Sequence, residues 1–428
     1  MAEQPRVGVE HYPFIGNVAP PMVVATEGNY LVMADGRRIL DGAGGAIVAN
    51  IGHGRAEVAE VAARSVAEVD YVIPPWATPQ RVALRDRLVS NWLPSELSRV
   101  GFCSGGSEAA DTAIRLAHAH HVARGQASKW RVIGRRPSYH GVTIASLSAG
   151  GHLGRRAGYE NILLDFPLVA WDDADALEAA IDQVGADTVA AFIAEPIIGA
   201  AGGVLLPPEG YFARVAEICR RHDILLIVDE VMSGFGRAGT PFGIEHYGVV
   251  PDIMYGGKGL GGGYAAIAGV FARSSVTDPI TAAGHNFMFF TFGAQSTHCA
   301  VADKVLQIME DEQLVERSAK MGEVLLDRLE TAFGDHPHVA AVRGQGLWAG
   351  IELVADRSPY RRWPAASGMA QRVSAAALER GAWIYPSGAI DPVQDAVMFG
   401  PAFTISESEI DHLVEVTLQA VDAAAASA

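Results

Sequence analysis

The sequence predicts an α/β fold built on a large, mostly parallel sheet. Short apolar runs such as Val189–Ala194 and Ile224–Val228 have strand length and are bounded by glycine, proline or charge. Runs without polar alternation are typical of strands buried on both faces of a sheet. Helical patterns at 108–124 and 210–222 separate these runs, and alternating strands and helices favour a parallel sheet. The other strand candidates are Val132–Ile133 and Ala265–Phe271.

The two ends of the chain differ in pattern from its middle. A hairpin pattern near the N-terminus turns at Asp35-Gly36. After about residue 325, helical patterns alternate with short strand candidates, and we expect the final alanine-rich residues to be frayed. We predict a large α/β domain at 70–325, with segments 1–69 and 326–428 forming a smaller α+β domain together.

Composition and charge exclude several classes of protein. The 428 residues include 33 basic and 49 acidic side chains, a net charge of −16. Nucleic-acid and anionic-membrane partners are disfavoured because both require a basic face. The chain has no signal-peptide pattern and no apolar run long enough to cross a membrane. Its three scattered cysteines show no metal-ligand or disulfide spacing. We therefore expect a cytoplasmic protein without a metal site.

Asp229 follows directly after one of the predicted buried strands. Ligands of open parallel sheets bind at the carboxyl ends of strands, so an acidic residue there faces the binding crevice. A solvated or helix-capping aspartate would show the same pattern, and both interpretations stay open for this residue alone.

Lys258 lies among six glycines in the segment MYGGKGLGGG and is one of only four lysines. Glycine allows close approach of the backbone, and burial of a lysine there would lower its pKa and free the amine as a nucleophile. Phosphate binding and a plain surface turn are alternatives. The segment is not a P-loop, because Gly259 follows the lysine.

Two further segments carry weaker signals. Ser104–Ser107 connects a strand candidate to a helix, where small residues can hold an anion, although many such segments are plain helix caps. Tyr139-His140-Gly141 follows another strand candidate, and its aromatic ring could stack on a planar ligand or pack in a turn. An amine, a carboxylate, an aromatic ring and a helix N-terminus together are what pyridoxal phosphate requires.

The chain resembles the class III, or omega-amino acid type, pyridoxal-phosphate aminotransferases over nearly its full length. The motifs are FCSGGSEAADTAIRLA, YHGVT, AEPIIGAAGGVLLPPEGY, LLIVDEVMSGFGRAG, PDIMYGGKGLGGGY and VRGQGLWAGIEL. The resemblance implies a fold type I transferase. It also implies transfer of an amino group from an amine or omega-amino acid to pyruvate or 2-oxoglutarate, with ping-pong kinetics.

The resemblance assigns roles to individual residues. Lys258 would form the Schiff base and carry the proton, and Asp229 would pair with the pyridinium nitrogen. Thr291, with Phe290, resembles a residue that reaches the phosphate of the neighbouring subunit, which implies a homodimer with shared active sites; a dimer of dimers stays open. The other implied cofactor contacts are Gly105, Gly106, Ser107, Tyr139, His140, Glu195 and Val231.

The C-terminal segment departs from the family pattern. Members with carboxylate substrates often use an arginine there, whereas this chain has no Arg or Lys after Arg380. A mobile arginine elsewhere, or backbone donors, must then bind a keto acid. Phe14, Ile47 and Trp76 are candidates for an apolar pocket wall, with ordinary core packing as the alternative; such a wall would favour an amine, long-chain or aromatic donor.

Other functions remain compatible with the same scaffold. Pyridoxal-phosphate aminomutases, racemases and decarboxylases share it, and EVMSGF is close to the aminomutase form of the motif. A nicotinamide-dependent oxidoreductase is disfavoured because no GxGxxG follows a strand and begins a helix. A binding-only protein is disfavoured because inert packing would not need Lys258 or Asp229.

Overall fold

The structure is a computed structural model that describes residues 20–285, 289–388 and 391–428. The strands are β1 (Val23–Glu27), β2 (Tyr30–Met33), β3 (Arg38–Asp41), β4 (Arg99–Cys103), β5 (Arg131–Arg136), β6 (Leu168–Ala170), β7 (Val189–Ala194), β8 (Leu225–Asp229), β9 (Ile253–Gly256), β10 (Ala268–Ala272), β11 (Val339–Gly344), β12 (Ala349–Leu353), β13 (Asp356–Arg357), β14 (Tyr360–Arg361), β15 (Ala382–Trp383), β16 (Tyr385–Ser387) and β17 (Ala396–Phe399).

Helices alternate with these strands through the middle of the chain. They are α1 (Gly44–Ile47), α2 (Ala56–Glu68), α3 (Pro79–Arg87), α4 (Gly106–Ala123), α5 (Ile144–Ala149), α6 (Leu153–Arg156), α7 (Ala174–Val184), α8 (Tyr211–Arg221), α9 (Ser274–Ala282), α10 (Ser296–Asp311), α11 (Leu314–Phe333), α12 (Met369–Glu379) and α13 (Glu407–Ala426). Within the described ranges, no helix combines the length and the apolar character that a bilayer span requires.

The central sheet positions the site. Its strands, as far as the structure describes them, run in the order β4-β10-β9-β8-β7-β5-β6. β10 is antiparallel to β4 and β9, whereas the other neighbours pair in parallel. The prediction of a mostly parallel sheet is therefore confirmed. All residues of β7 and β10 are buried, as expected for strands covered on both faces.

Small side chains bring α4 close to this sheet. Ala109, Ala110, Ala113 and Ala117 are all buried on the face of α4 that packs against β9 and β10. A methyl group at each contact lets the helix axis lie near the strands. The N-terminus of α4 is thereby held at one edge of the sheet.

The carboxyl ends of β4, β5, β7, β8 and β9 all lie at that same edge, because these strands are mutually parallel. The loops that follow them therefore converge. β10 runs the other way, so the residues that precede it arrive at this edge as well. β10 begins at Ala268, three residues later than the predicted strand, and Ala265–Ile267 are left free to face the crevice.

The two ends of the chain share a small sheet. β3 pairs in parallel with β15 in the order β1-β2-β3-β15, and β2 and β3 form the predicted hairpin. A second sheet, β11-β12-β17-β16, is built from the C-terminal segment. The domain limits stay predictions, and the boundary drawn at 325 falls inside α11.

The C-terminal tail differs from the expectation of fraying, since α13 continues to Ala426. Two features explain the difference. Ser406 and Glu409 form a capping box at the start of the helix. At its end, Val421 and Ala424 are buried against the core, and that burial offsets the loss of backbone entropy.

Candidate active site

A cavity of about 300 Å³ lies at the carboxyl edge of the central sheet. It brings together nine residues predicted from the sequence: Gly105, Gly106, Ser107, Tyr139, His140, Glu195, Asp229, Val231 and Lys258. The remaining lining residues are Val48, Ser104, Gly141, Ile197, Met232, Ser233, Ala265, Ala266 and Ile267. The volume is at the lower end of the range of small-molecule sites, about 300–1,000 Å³.

Lys258 stands just beyond β9, at the start of a short 3-10 helix, with a φ of 43°. Its glycine neighbours allow this placement. A Cβ on Gly256 would lie 2.7 Å from the Phe235 ring, and one on Gly259 would lie 2.3 Å from the Asn50 amide nitrogen. The backbone around the lysine is therefore packed too closely for larger side chains.

Burial lowers the pKa of Lys258 to about 8, although the carboxylates of Asp229 and Glu195 act in the opposite direction. An ammonium group loses hydration in the cavity, so the neutral amine is favoured there. About a tenth of the amine is therefore unprotonated at pH 7, far more than for a lysine with its ordinary pKa of 10.5. Such an amine can act as a nucleophile or accept a proton.

Asp229 ends β8 and is 4% exposed. Its Oδ2 atom lies 2.8 Å from Nδ1 of His140 and accepts a 2.6 Å hydrogen bond from the Tyr255 hydroxyl. Its Oδ1 atom accepts the backbone N–H of Val231 at 3.0 Å. Three hydrogen bonds fix the carboxylate, and they leave acceptor capacity for one more donor in the cavity.

Tyr255 lies within β9 and is fully buried. Burial, reinforced by the neighbouring Asp229 carboxylate, raises the pKa of Tyr255 well above its usual value. The hydroxyl therefore keeps its proton and donates to Asp229. The bond helps to keep the carboxylate charged and in a single orientation.

The N-terminus of α4 opens onto the cavity. The Gly105 carbonyl accepts the first helical hydrogen bond from Ala109 at 3.0 Å, and Gly105 makes no side-chain cap. The amides of Gly106 and Ser107 thus have no acceptor within the helix, and the helix dipole adds positive potential. The Glu108 carboxylate accepts the Ser104 N–H at 2.8 Å, so the segment also caps the helix.

The loop after β5 closes against this helix end. Ser107 Oγ accepts the Val142 N–H at 3.2 Å. Gly141 has a φ of 130°, and a Cβ there would lie 2.5 Å from Ser107 Oγ. Asp111 holds the loop in place: its carboxylate accepts hydrogen bonds from the Thr143 hydroxyl at 2.9 Å and from the Ser146 N–H at 3.1 Å. Glycine is required at 141 both for its backbone angle and for the close approach.

Glu195 and Tyr139 form the neighbouring wall. Glu195 Oε1 accepts the Tyr139 N–H at 2.9 Å, and Oε2 accepts the Gly199 N–H at 3.3 Å. Burial and the nearby Asp229 charge raise the pKa of Glu195. The Tyr139 ring carries the Arg155 guanidinium above it, 4.9 Å from the ring centroid. The wall thus combines an aromatic face with a cation.

The structure does not place every candidate residue at this cavity. Ile47 is 1% exposed and packs in the core, while its neighbour Val48 lines the cavity. Trp76 is 69% exposed and, with Phe290, lines a second crevice. Thr291 is exposed, and its carbonyl accepts the Tyr71 hydroxyl. Phe14 lies outside the described residues.

Several site residues were not predicted from the sequence. One feature of the sequence could have identified Tyr255: it is a lone tyrosine in an apolar run. A tyrosine hydroxyl that is buried in such a run needs a hydrogen-bond partner. Arg155 lies in a segment without a recognisable motif. Residues 265–267 were predicted to be part of a strand. They reach the cavity only because β10 runs antiparallel to its neighbours, which the sequence pattern does not indicate.

The chain is similar to known aminotransferases over nearly its full length. The family model described as Aminotransferase class-III matches residues 16–421. The chain is 32% identical over 430 residues to the putrescine–pyruvate aminotransferase of Pseudomonas aeruginosa, covering 95% of this chain and 91% of that protein. It is 34% identical over 425 residues to the taurine–pyruvate aminotransferase of Rhodobacter capsulatus, covering 92% and 90%.

The solved structures to which the chain is similar are transaminases as well. A transaminase from the marine bacterium Virgibacillus has a TM-score of 0.92 at 31% identity, covering 100% of this chain and 97% of that one. The omega-transaminase of Pseudomonas jessenii in complex with PMP has a TM-score of 0.90 at 31% identity, covering 99% and 96%. Fold and site together define an aminotransferase that uses pyridoxal phosphate. The chain belongs to the class III aminotransferases.

The cavity residues fit pyridoxal phosphate. Lys258 offers an amine with a lowered pKa, and Asp229 offers a fixed carboxylate with spare acceptor capacity. The free amides at Gly106 and Ser107 suit a phosphate. The side chains of Val231 and Tyr139 supply apolar and aromatic surface for a flat ring. A Cβ on Gly106 would lie 3.1 Å from Val231, so the helix end and the β8 loop enclose a narrow space.

Proposed function

We propose that this enzyme transfers an amino group from an amine or omega-amino acid to pyruvate or 2-oxoglutarate in two alternating half-reactions. Lys258 would hold pyridoxal phosphate as a Schiff base. The observation that carries the proposal is the pairing of this amine, whose pKa is about 8, with the triply hydrogen-bonded Asp229 in one cavity.

The cofactor, when bound, supplies an electron sink for the charge left when the donor's Cα proton is removed. Lys258 would accept that proton and return it to the cofactor carbon, since a neutral amine near pH 8 can do both. Asp229 would hold the proton on the ring nitrogen. His140 and Tyr255 would keep Asp229 charged and oriented, and Tyr139 would cover the ring.

The names of the relatives support the substrate classes. They pair putrescine with pyruvate, diaminobutyrate with 2-oxoglutarate, and taurine with pyruvate. We extend the two classes, a primary amine donor and a keto acid acceptor, to this chain. The mostly apolar walls formed by Val48, Ile197 and Ile267 suit an aliphatic donor.

We also propose a homodimer with shared active sites. Phe290 and Thr291 lie outside the cavity of their own chain, among exposed aromatic side chains. Phe289 and Phe292 are 45% and 60% exposed, and Tyr71 contacts Phe292 at 6.1 Å between ring centroids. An aromatic surface of this kind is typical of a protein interface.

The test is an absorbance titration of the purified holoenzyme with amine donors. A productive donor should remove the band at about 410–430 nm and raise one at about 330 nm, and pyruvate should reverse the change. The alanine formed from pyruvate should carry the donor nitrogen, as shown with ¹⁵N-labelled donor. No labelled alanine, together with isomerised, racemised or decarboxylated donor, would point to an aminomutase, racemase or decarboxylase. Absence of the first band would contradict the proposal.

A further inference from the structure

A keto acid brings a carboxylate into the site, yet the described lining of the cavity holds few cations. Among the described residues that line the cavity, Lys258 is the one lysine, and none is an arginine. His140 is committed to Asp229 at 2.8 Å. The C-terminal segment contributes no cation, since no Arg or Lys follows Arg380. A carboxylate anchor must therefore come from outside the immediate lining.

Arg155 is placed to provide one. It lies on the short helix α6, is exposed, and its guanidinium carbon lies 4.9 Å from the centroid of the Tyr139 ring. Tyr139 itself lines the cavity. The charge of Arg155 also acts on the Lys258 amine and contributes to lowering its pKa. The guanidinium thus contacts a residue that lines the cavity, and its charge is close enough to act on the amine inside it.

Arg155 is also uncommitted within the described parts of the chain. Its side chain makes no hydrogen bond and no ion pair with any described residue. The guanidinium carbon of Arg155 lies over the Tyr139 ring, and the guanidinium N–H groups have no acceptor among the described residues. Those N–H groups match the two oxygens of a carboxylate.

Neighbouring arginines differ in this respect. Arg156 donates to the carbonyls of Leu147, Ser148 and Gly150 at 2.8–2.9 Å. Arg237, the other cation that acts on Lys258, is fully buried and donates to Asn50 and to two backbone carbonyls. Both side chains serve the fold, and neither can turn toward a substrate without breaking those bonds.

We propose that Arg155, stacked on Tyr139, binds the carboxylate of the keto acid acceptor and of omega-amino acid donors. The inference rests on the proposed function. Arg155 is a specificity-determining residue: it distinguishes substrates with a carboxylate from plain amines, and the amine is bound by other groups. An arginine held on an aromatic ring needs little further ordering when the carboxylate arrives.

The test compares Arg155→Leu with Arg155→Lys and with Arg64→Leu, an exposed arginine on α2 that controls for net charge. Glutarate, an unreactive dicarboxylate, is titrated into each holoenzyme by calorimetry. Arg155→Leu should weaken glutarate binding about tenfold or more, because a charge-assisted bidentate contact is lost. Arg155→Lys should lose less, and Arg64→Leu should bind as the wild type does.

A second measurement uses the donor half-reaction in single turnovers. The ratio of the apparent Kd for γ-aminobutyrate to that for butylamine should rise about tenfold in Arg155→Leu. An unchanged ratio, wild-type glutarate affinity in Arg155→Leu, or no glutarate binding by the wild type would each overturn the assignment.

The two failures are distinguishable. A wild-type holoenzyme that transfers no amino group from any donor would contradict the proposed function, while the glutarate titration would still decide the role of Arg155. Normal transamination with no dependence of carboxylate binding on Arg155 would contradict this inference alone.

Discussion

At the scale of single residues, the proposed chemistry depends on an amine and a carboxylate whose surroundings set their charge. Burial in a narrow cavity lowers the pKa of Lys258, and three hydrogen bonds fix Asp229. Neither property belongs to the residue type alone. Each follows from neighbours that other strands bring to the same edge of the sheet.

The pKa of Lys258 predicts how cofactor incorporation depends on pH. Only the neutral amine attacks an aldehyde, so the rate at which apoenzyme forms the covalent link with pyridoxal phosphate should rise with pH and level off above about 8. Stopped-flow absorbance measures this rate. A rise that continues toward 10.5, the ordinary lysine value, would contradict the assignment. Lys258→Ala should bind the cofactor without the covalent band, whereas Lys320→Ala should behave as the wild type does.

Substitutions of Asp229 and of its hydrogen-bond donor Tyr255 should lower kcat to different extents. Asp229→Asn removes the negative charge opposite the ring nitrogen and should lower kcat by about a hundredfold or more with cofactor still bound. Tyr255→Phe removes one donor and keeps the 2.8 Å contact with His140, so its loss should be smaller. Single-turnover rates and bound-cofactor spectra test this order. Near-normal activity of Asp229→Asn would remove the residue from its role.

At the scale of elements, the site is made by helix and strand ends that approach too closely for ordinary side chains. The α4 N-terminus and the loop after β5 meet at Ser107 and Gly141. The α13 cap meets the N-terminal segment, where Glu409 accepts the Asn29 amide at 2.9 Å. Both junctions can be tested with one substitution and a matched control.

Gly141→Ala should weaken cofactor affinity about tenfold or more, because a Cβ would clash with Ser107 Oγ and displace the phosphate cradle. Gly125→Ala is the control, since it shares a positive φ of 81° but has no atom within 4 Å of the added Cβ. It should cost about 1 kcal/mol of stability and leave the Kd for pyridoxal phosphate unchanged. Equal effects of the two variants on that Kd would exclude a cradle at Gly141.

Ser406→Ala should lower the free energy of unfolding by about 1 kcal/mol, because the side-chain acceptor for the Glu409 N–H is lost. Ser408→Ala, at an exposed position in the first turn of α13, loses only the 3.2 Å hydroxyl contact with Ser406 and keeps the cap, so it should lower the free energy of unfolding less. Urea unfolding followed by circular dichroism compares the two midpoints. A shared midpoint would show that the capping box contributes nothing measurable.

At the scale of the whole molecule, one chain does not complete its own site if Thr291 acts on the neighbouring subunit. The proposed homodimer then predicts complementation between defective subunits. In a mixed dimer of Lys258→Ala and Thr291→Val chains, one site keeps its own Lys258 and receives an intact Thr291 from its partner.

Mixing the two variants should therefore restore activity at limiting pyridoxal phosphate, up to about half of the wild-type level per dimer. Each variant alone should be weak, and sedimentation should show a dimer. Thr291→Val mixed with wild-type chains serves as a control for dilution. Failure to recover activity after subunit exchange would place Thr291 at a site within its own chain, or at none.

Local patterns in the sequence predicted most of the strands of the central sheet and the two residues, Lys258 and Asp229, that we propose as the reactive pair. The run Val189–Ala194 became β7 without a shift, and Lys258 and Asp229 were found from their strand-end and glycine-rich surroundings. Apolar runs and glycine clusters are properties of consecutive residues, so they can be read along the chain. The family motifs added the identity of the cofactor in the same way.

The tertiary structure decided the contacts between distant segments. It placed Tyr255 on Asp229, turned Ile47 into the core and stacked Arg155 on Tyr139. It also paired β3 with β15, more than 300 residues apart in the sequence. These outcomes depend on strand order and direction, which periodicity does not contain. The sequence by itself therefore determined the strand ends that carry the candidate amine and carboxylate, and the packing of the sheet determined which side chains surround them and set their charge.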